Sequence, residues 1–129
     1  MIYTLKINCI AGRFLEGEWI RIIEISGDSG IFTLGNFIHR TIGFDDDHLS
    51  DFYAGRNYHN RKIEFDVDVK IKEIYPLPRL KLYYYYDYGD SWIFEITKTR
   101  KKLKDEEIDV VYPRVVEVIG ENPNQYGSY

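Results

Sequence analysis

Between residues 62 and 72 the chain alternates without a break. Ile63, Phe65, Val67, Val69 and Ile71 are separated by Lys62, Glu64, Asp66, Asp68, Lys70 and Lys72. A strand turns successive side chains to opposite faces, so this period of two predicts a strand with one apolar and one solvated face. Antiparallel sheets tolerate one wet face, whereas parallel sheets are covered on both sides. The stretch thus points to a mainly antiparallel sheet. If such a strand lies at an edge, a second copy can pair with it, and a homodimer through a sheet edge is one expectation.

The rest of the chain supplies partners for that strand. In residues 2–10, Tyr3, Leu5, Ile7 and Cys9 share one face, and Thr4, Lys6 and Asn8 share the other. Residues 18–26 place Trp19, Arg21, Ile23 and Ile25 against Ile20, Ile22 and Glu24, a mostly apolar pattern on both sides that suits a central strand. Gly12 and Gly17 bracket the turn between them, which makes an opening hairpin. Next, Ile31, Leu34, Ile38 and Ile42 fall at helical spacing, with Asp28 or Ser29 as N-cap and Gly43 as the stop. Gly35 inside this helix costs about 1 kcal/mol relative to Ala. Further strands are expected at His48–Tyr53, Leu80–Tyr88, Ser91–Thr99 and Val110–Val118, and a loose tail over residues 120–129. One principal helix (residues 30–42) on an antiparallel sheet of five to seven strands is an α+β layer solution, and a β-grasp-like roll is the expected topology.

Composition sets the class. With 129 residues and 44% hydrophobic content, the chain fits a single domain with a core of its own. A net charge of -4 is a poor electrostatic match for nucleic acid unless the cations are segregated. No apolar run approaches the ~18 residues of a membrane span, and Lys6 and Asn8 interrupt the first ten residues, unlike a signal peptide. The single cysteine, Cys9, can form neither an internal disulfide nor a thiolate cage, which predicts a reducing, cytoplasmic setting.

Three segments carry chemistry. Residues 44–52 hold Asp45, Asp46, Asp47, His48 and Asp51; such oxygens suit a hard divalent cation, but the spacing is not that of an EF-hand, and a solvated turn explains them as well. Residues 83–92, Tyr-Tyr-Tyr-Tyr-Asp-Tyr-Gly-Asp-Ser-Trp, read as a hairpin. Tyr84, Tyr86 and Tyr88 continue the face of Leu80 and Leu82, and Tyr83 and Tyr85 occupy the other, so one face is core and the other an amphipathic surface. Lys98, Arg100, Lys101, Lys102 and Lys104 form a cationic run that either contacts phosphates or keeps an edge solvated. No Gly-rich phosphate loop and no GxSxG turn occur, and His39, His48 and His59 lack ligand spacing.

In their order along the chain, these motifs resemble the Ri-plasmid ORF-three-like family, also labelled TnpR-type passenger proteins of an insertion element. The resemblance rests on Trp19-Ile20-Arg21, on Gly27-Asp28 followed by Ile31, Leu34, Ile38, Gly43 and Phe44, and on Asp47-His48-Leu49 with Phe52. The most specific block is Tyr86-Asp87-Tyr88-Gly89-Asp90 with Trp92, and Tyr112-Pro113-Arg114 follows. The resemblance implies an association with plasmids and mobile elements and a further C-terminal stretch in typical members. It implies no established reaction, and this chain lacks the residue sets of serine and tyrosine recombinases. Several polar positions of the family pattern are replaced here. Gly35 stands for a helix His, Ser50 for the second His of a His-Leu-His block, and Phe94 for the His after the hairpin Trp. Residues 122–128 place amides and Tyr126 where the pattern has carboxylates and a Cys. An amide cannot act as a general base, so if the family's His, Cys and carboxylates form an acid–base or metal site, its loss is expected in this chain.

These readings together predict a small cytoplasmic binding or scaffold protein without catalysis or cofactor, acting on a protein or small-molecule partner. Its expected surface combines the 44–52 loop and the 83–92 hairpin. Asp47, His48, Asp87 and Asp90 would supply polar contacts, and Tyr83, Tyr85 and Trp92 flat apolar area. Arg21 is expected to form a structural ion pair with Asp87 or Asp90. The alternative is a metal-assisted hydrolase or nuclease of a mobile element, with Asp45, Asp47, His48, Asp87 and Asp90 as ligands. A nucleic-acid accessory role for the cationic run is less favoured.

Overall fold

The opening hairpin forms as the alternation dictates. Strands β1 (Ile2–Ala11) and β2 (Ile20–Ser26) pair antiparallel from Ile2 opposite Ser26 to Asn8 opposite Ile20. Tyr3, Leu5, Ile7 and Cys9 all turn to the main core. These positions come from a computed structural model that describes residues 1–127, so the part of the expected tail at residues 128 and 129 lies outside the described residues. Helix α1 (Ile31–Ile42) follows and buries Ile31, Leu34, Ile38 and Ile42 in the same core. Gly43 takes the left-handed conformation, φ 80°, and its N–H donates to the His39 carbonyl, which ends the helix where the sequence predicts.

The chain then crosses the sheet. Strands β3 (Ser50–Gly55), β4 (Ile63–Glu64), β5 (Lys81–Tyr86), β6 (Trp92–Lys98) and β7 (Arg114–Ile119) complete seven strands in the order β4-β3-β5-β6-β1-β2-β7. Every pairing is antiparallel. A four-residue helix, α2 (Ile71–Ile74), precedes β5. The fold is thus an α+β sheet with its principal helix on one face. Among the described residues, no helix is long and apolar enough to cross a membrane.

Residues 62–72 depart from the expected long strand. Only Ile63 and Glu64 join the sheet, opposite Ala54 and Tyr53, Lys70 makes a lone bridge to Gly30, and Val67 is 73% exposed. The reason lies in the backbone partners. Phe65 N–H still reaches the Phe52 carbonyl at 3.2 Å, but then the chain turns on Val69 N–H to Asp66 O. Beyond that turn it serves the start of α1: Ile31 N–H donates to Val69 O at 2.7 Å, and Ile71 and Lys72 N–H donate to Ser29 O and Gly27 O. The first amides of a helix have no partner within it and must find one outside. Here a passing backbone supplies it. The expected side-chain cap at Asp28 or Ser29 is not formed: the N-cap is Gly30, and Asp28 pairs with Lys72 at 2.7 Å. The edge on which a second copy was expected to pair is therefore two residues long.

Residues 121–127 form no strand or helix, yet they are tied down rather than loose. Asn122 Oδ1 accepts from Trp19 Nε1 at 2.8 Å and from Arg21 Nη2 at 3.0 Å, and its amide donates to Thr41 O. Gln125 is 8% exposed and bonds the Asp45 backbone in both directions. Arg21 makes no ion pair with Asp87 or Asp90. It is buried, donates to the carbonyls of Ile20, Ile119 and Gly120, and lies 4.5 Å over the Trp19 ring. Carbonyl dipoles and a ring face satisfy the guanidinium in place of a carboxylate.

Candidate functional site

Helix α1, the loop that follows it and strands β3 and β5 enclose the polar heart of the molecule. The alternation of β5 sends Leu82, Tyr84 and Tyr86 into the main core, beneath the helix. His39 projects from the inward stripe of α1 onto these phenols. Its Nε2 lies 2.8 Å from Tyr84 Oη, and its ring stands edge-on to Tyr86 at 4.3 Å. His39 Nδ1 is buried without a hydrogen-bond partner. Burial pushes the His39 pKa below the ordinary imidazole value, outweighing Asp46 and Asp47, so the ring is neutral near pH 7. Burial likewise raises the phenols of Tyr84 and Tyr86, which stay protonated.

Tyr86 fastens the loop. Its hydroxyl donates to Asp45 O at 2.5 Å and accepts from Asp47 N–H at 3.1 Å. Farther out, the Asp47 carboxylate accepts from Tyr126 Oη at 3.2 Å. His48 Nε2 lies 3.4 Å from Asp47 and 3.5 Å from Asp87.

The expected site residues thus separate into groups. Asp47, His48 and Asp87 converge. Asp90 instead faces Arg13 at 3.6 Å, and Asp45 contributes its backbone to the Gln125 and Tyr86 contacts. Asp87, at φ 59°, accepts from the Gly89 and Asp90 amides, so one of its oxygens is committed to the hairpin turn. Tyr83 and Trp92 do not form a surface. They are 1% and 0% exposed, Tyr83 packing with Tyr53 and Ile93 on the far face of the sheet and Trp92 lying 4.7 Å from Phe44 in the main core. Tyr85 is half-buried beside the first of these clusters. Among the described residues, no three His, Cys, Asp or Glu side chains are arranged to hold a metal ion. In the cationic run, Lys98 donates to the Thr99 and Lys101 carbonyls, and Lys104 binds Glu24 at 2.7 Å and Glu107 at 3.3 Å.

Beside the His39–Tyr84 pair, a pocket of about 150 Å³ opens between α1 and β3. The buried residues Gly35, Phe52 and Tyr84 line its inner part, and Phe32, Asp46, Ser50, Phe65 and Val67 its mouth. Gly35 is what leaves the space: a Cβ there would stand 3.4 Å from the Phe52 ring and 3.8 Å from Tyr84. Phe52 and Tyr84 stack with centroids 4.5 Å apart. Two residues of the mouth, Phe65 and Val67, come from the stretch that failed to become a strand.

The plasmid pRiA4b ORF-3-like protein family matches residues 2–125. The chain belongs to this family. No curated protein matches it. Among solved structures, it is similar to a protein of unknown function from Methanosarcina mazei, with a TM-score of 0.71 at 20% identity, covering 91% of this chain and 68% of that one. That likeness is one of fold. Gly35, Ser50 and Phe94, the positions where the resemblance leads us to expect histidines, gather around one ring. Gly35 and Ser50 line the pocket with Tyr84, and Phe94 pairs with Tyr84 across the sheet, ring centroids 6.0 Å apart.

His39, Tyr84 and Gln125 were not singled out by sequence reasoning. The signal for His39 was available: it follows Gly35 by four residues, on the stripe shared with Ile31, Ile38 and Ile42. A polar residue on an inward stripe needs a buried partner. The partners, Tyr84 and the loop, lie far along the chain and could not be read from spacing.

Proposed function

We propose that this protein is a binding module, without catalysis of its own, that captures a small apolar group in the pocket between α1 and β3. One observation carries the reading. The pocket is a hollow with aromatic walls, one of which, Tyr84, is buried and hydrogen-bonded to His39 behind it. Binding sites are mostly apolar with a few convergent polar groups, and this one has that make-up. Its size limits the occupant. About 150 Å³ is smaller than the roughly 300–1,000 Å³ of typical ligand sites, and suits one ring or one branched side chain. The occupant is therefore a small molecule or a single anchoring group of a larger partner. Asp47, His48 and Asp87 lie beyond the Tyr86 ring, where they anchor the loop that frames the mouth. A reducing cytoplasm, consistent with the single buried Cys9, and an origin among mobile elements belong to the same proposal.

The test is a titration with benzyl alcohol, followed by backbone and aromatic NMR on the full chain. The reading expects shifts confined to Gly35, Ser50, Phe52 and Tyr84, weakened at least about 3-fold by Gly35→Ala, which narrows the pocket by one methyl in ordinary van der Waals contact. Shifts centred on Lys98–Lys104, or none at any residue, would count against it.

A further inference from the structure

The pocket's walls and its charge differ from those of a plain apolar hollow. Four aromatic side chains line it, those of Phe32, Phe52, Phe65 and Tyr84. Neither Lys nor Arg lines it. The carboxylate at its mouth, Asp46, is half exposed, and the one basic side chain within ion-pair distance of it among the described residues is His39, with Nε2 at 3.9 Å. Because His39 is buried and bonded to Tyr84, it offers Asp46 no lasting cation. Asp51, the other acidic lining residue, is already paired with Arg61. Asp45 and Asp47 flank Asp46 in the loop and deepen the negative potential there.

Aromatic faces carry negative charge density and attract cations, and the attraction grows when water is excluded. A carboxylate without a partner beside such faces adds a long-range pull of the same sign. We infer that the pocket takes an organic cation, an ammonium bearing small alkyl groups, with its charge toward Asp46 and its apolar surface against Phe52 and Tyr84. This deepens, and rests on, the reading of the pocket as a binding site. An anionic group of the same size would meet Asp46 head-on, and a neutral one would leave it without a counter-ion.

Choline and 3,3-dimethylbutan-1-ol test this directly, because they share a shape and differ only in the charged nitrogen. Both are titrated into wild type and Asp46→Asn by NMR, with the pocket signals as readout. The inference expects choline to bind at least about 5-fold more tightly than the alcohol, within the range of cation–π contacts. It also expects that preference to shrink toward unity in Asp46→Asn, at unchanged melting temperature, and to weaken with added NaCl. Equal or tighter binding of the neutral alcohol would overturn the cationic preference while leaving the pocket as a binding site. If neither compound moves the pocket signals, the binding reading fails with it.

Discussion

Residues 62–72 and residues 81–86 carry the same kind of signal and meet different fates. The first alternates apolar and charged residues along its whole length, and the second is a near-continuous run of tyrosines. Yet 81–86 becomes a strand paired on both sides, with β3 and β6, whereas 62–72 contributes two paired residues, a turn and the start of a short helix. The difference lies in neighbours. A strand exists when the groups beside it accept its backbone bonds, and β5 lies between two strands that do. The 62–72 backbone meets the beginning of α1 instead, and caps it. Alternation reports which residues suit a pleated, half-buried surface, and burial then decides. The outcome matters for function. Phe65 and Val67, left outside the sheet, form part of the mouth of the pocket.

Substitutions can break or sharpen this contrast. The largest effect is expected in the hairpin. Trp92→Ala removes a fully buried ring and should lower stability by about 3–5 kcal/mol in urea denaturation. Ile71→Ala comes next, at about 2–4 kcal/mol, because Ile71 is the one residue of the alternating stretch that is fully buried. A loss for Ile71→Ala as small as that of an exposed site would mean that the end of the stretch is not anchored as described.

Acidification probes the helix side of the hairpin. The folded His39 pKa lies below its unfolded value of 6.5, so the unfolded chain takes up a proton first. The His39 contribution to stability is therefore complete above about pH 6.5 and is lost as the pH falls below it, and His39→Gln should flatten that part of the decline. Melting temperatures across the decline measure it, and an unchanged slope in the variant would show that His39 takes up its proton alike in the folded and unfolded chain. The smallest effect is expected at Val67. Val67→Ala should stay within about 0.5 kcal/mol in the same urea experiment, since its side chain is largely exposed, although it alters the mouth of the pocket.

Much of the frame was legible in the sequence because it depends on local spacing. The hairpin of β1 and β2, helix α1 with its Gly43 stop, and the inward face of Leu82, Tyr84 and Tyr86 all follow from periods of 2 or 3.6. What escaped depends on contacts between distant segments. Arg21 finds carbonyls from residues 119 and 120, and Asn122 joins Trp19, Arg21 and Thr41, so a polar, Gly-bearing end that reads as loose is fixed by its bonds. The candidate site was legible in part. The 44–52 loop and the Tyr-rich hairpin do meet, through Tyr84, Tyr86 and Trp92, but inside the core and not as an exposed aromatic surface, and Tyr83 lies on the far face of the sheet. An aromatic residue in a strand advertises burial and binding equally, and only the layer above it tells which face is which.

Intermolecular NOEs between benzyl alcohol and the aromatic protons of the full chain put the central claim to its most direct test, because they locate the occupant on one face of β5 or the other. The account predicts contacts to Gly35, Phe52 and Tyr84, beneath α1. Contacts restricted to Tyr85 and Tyr88, on the helix-free side of the hairpin, would contradict it.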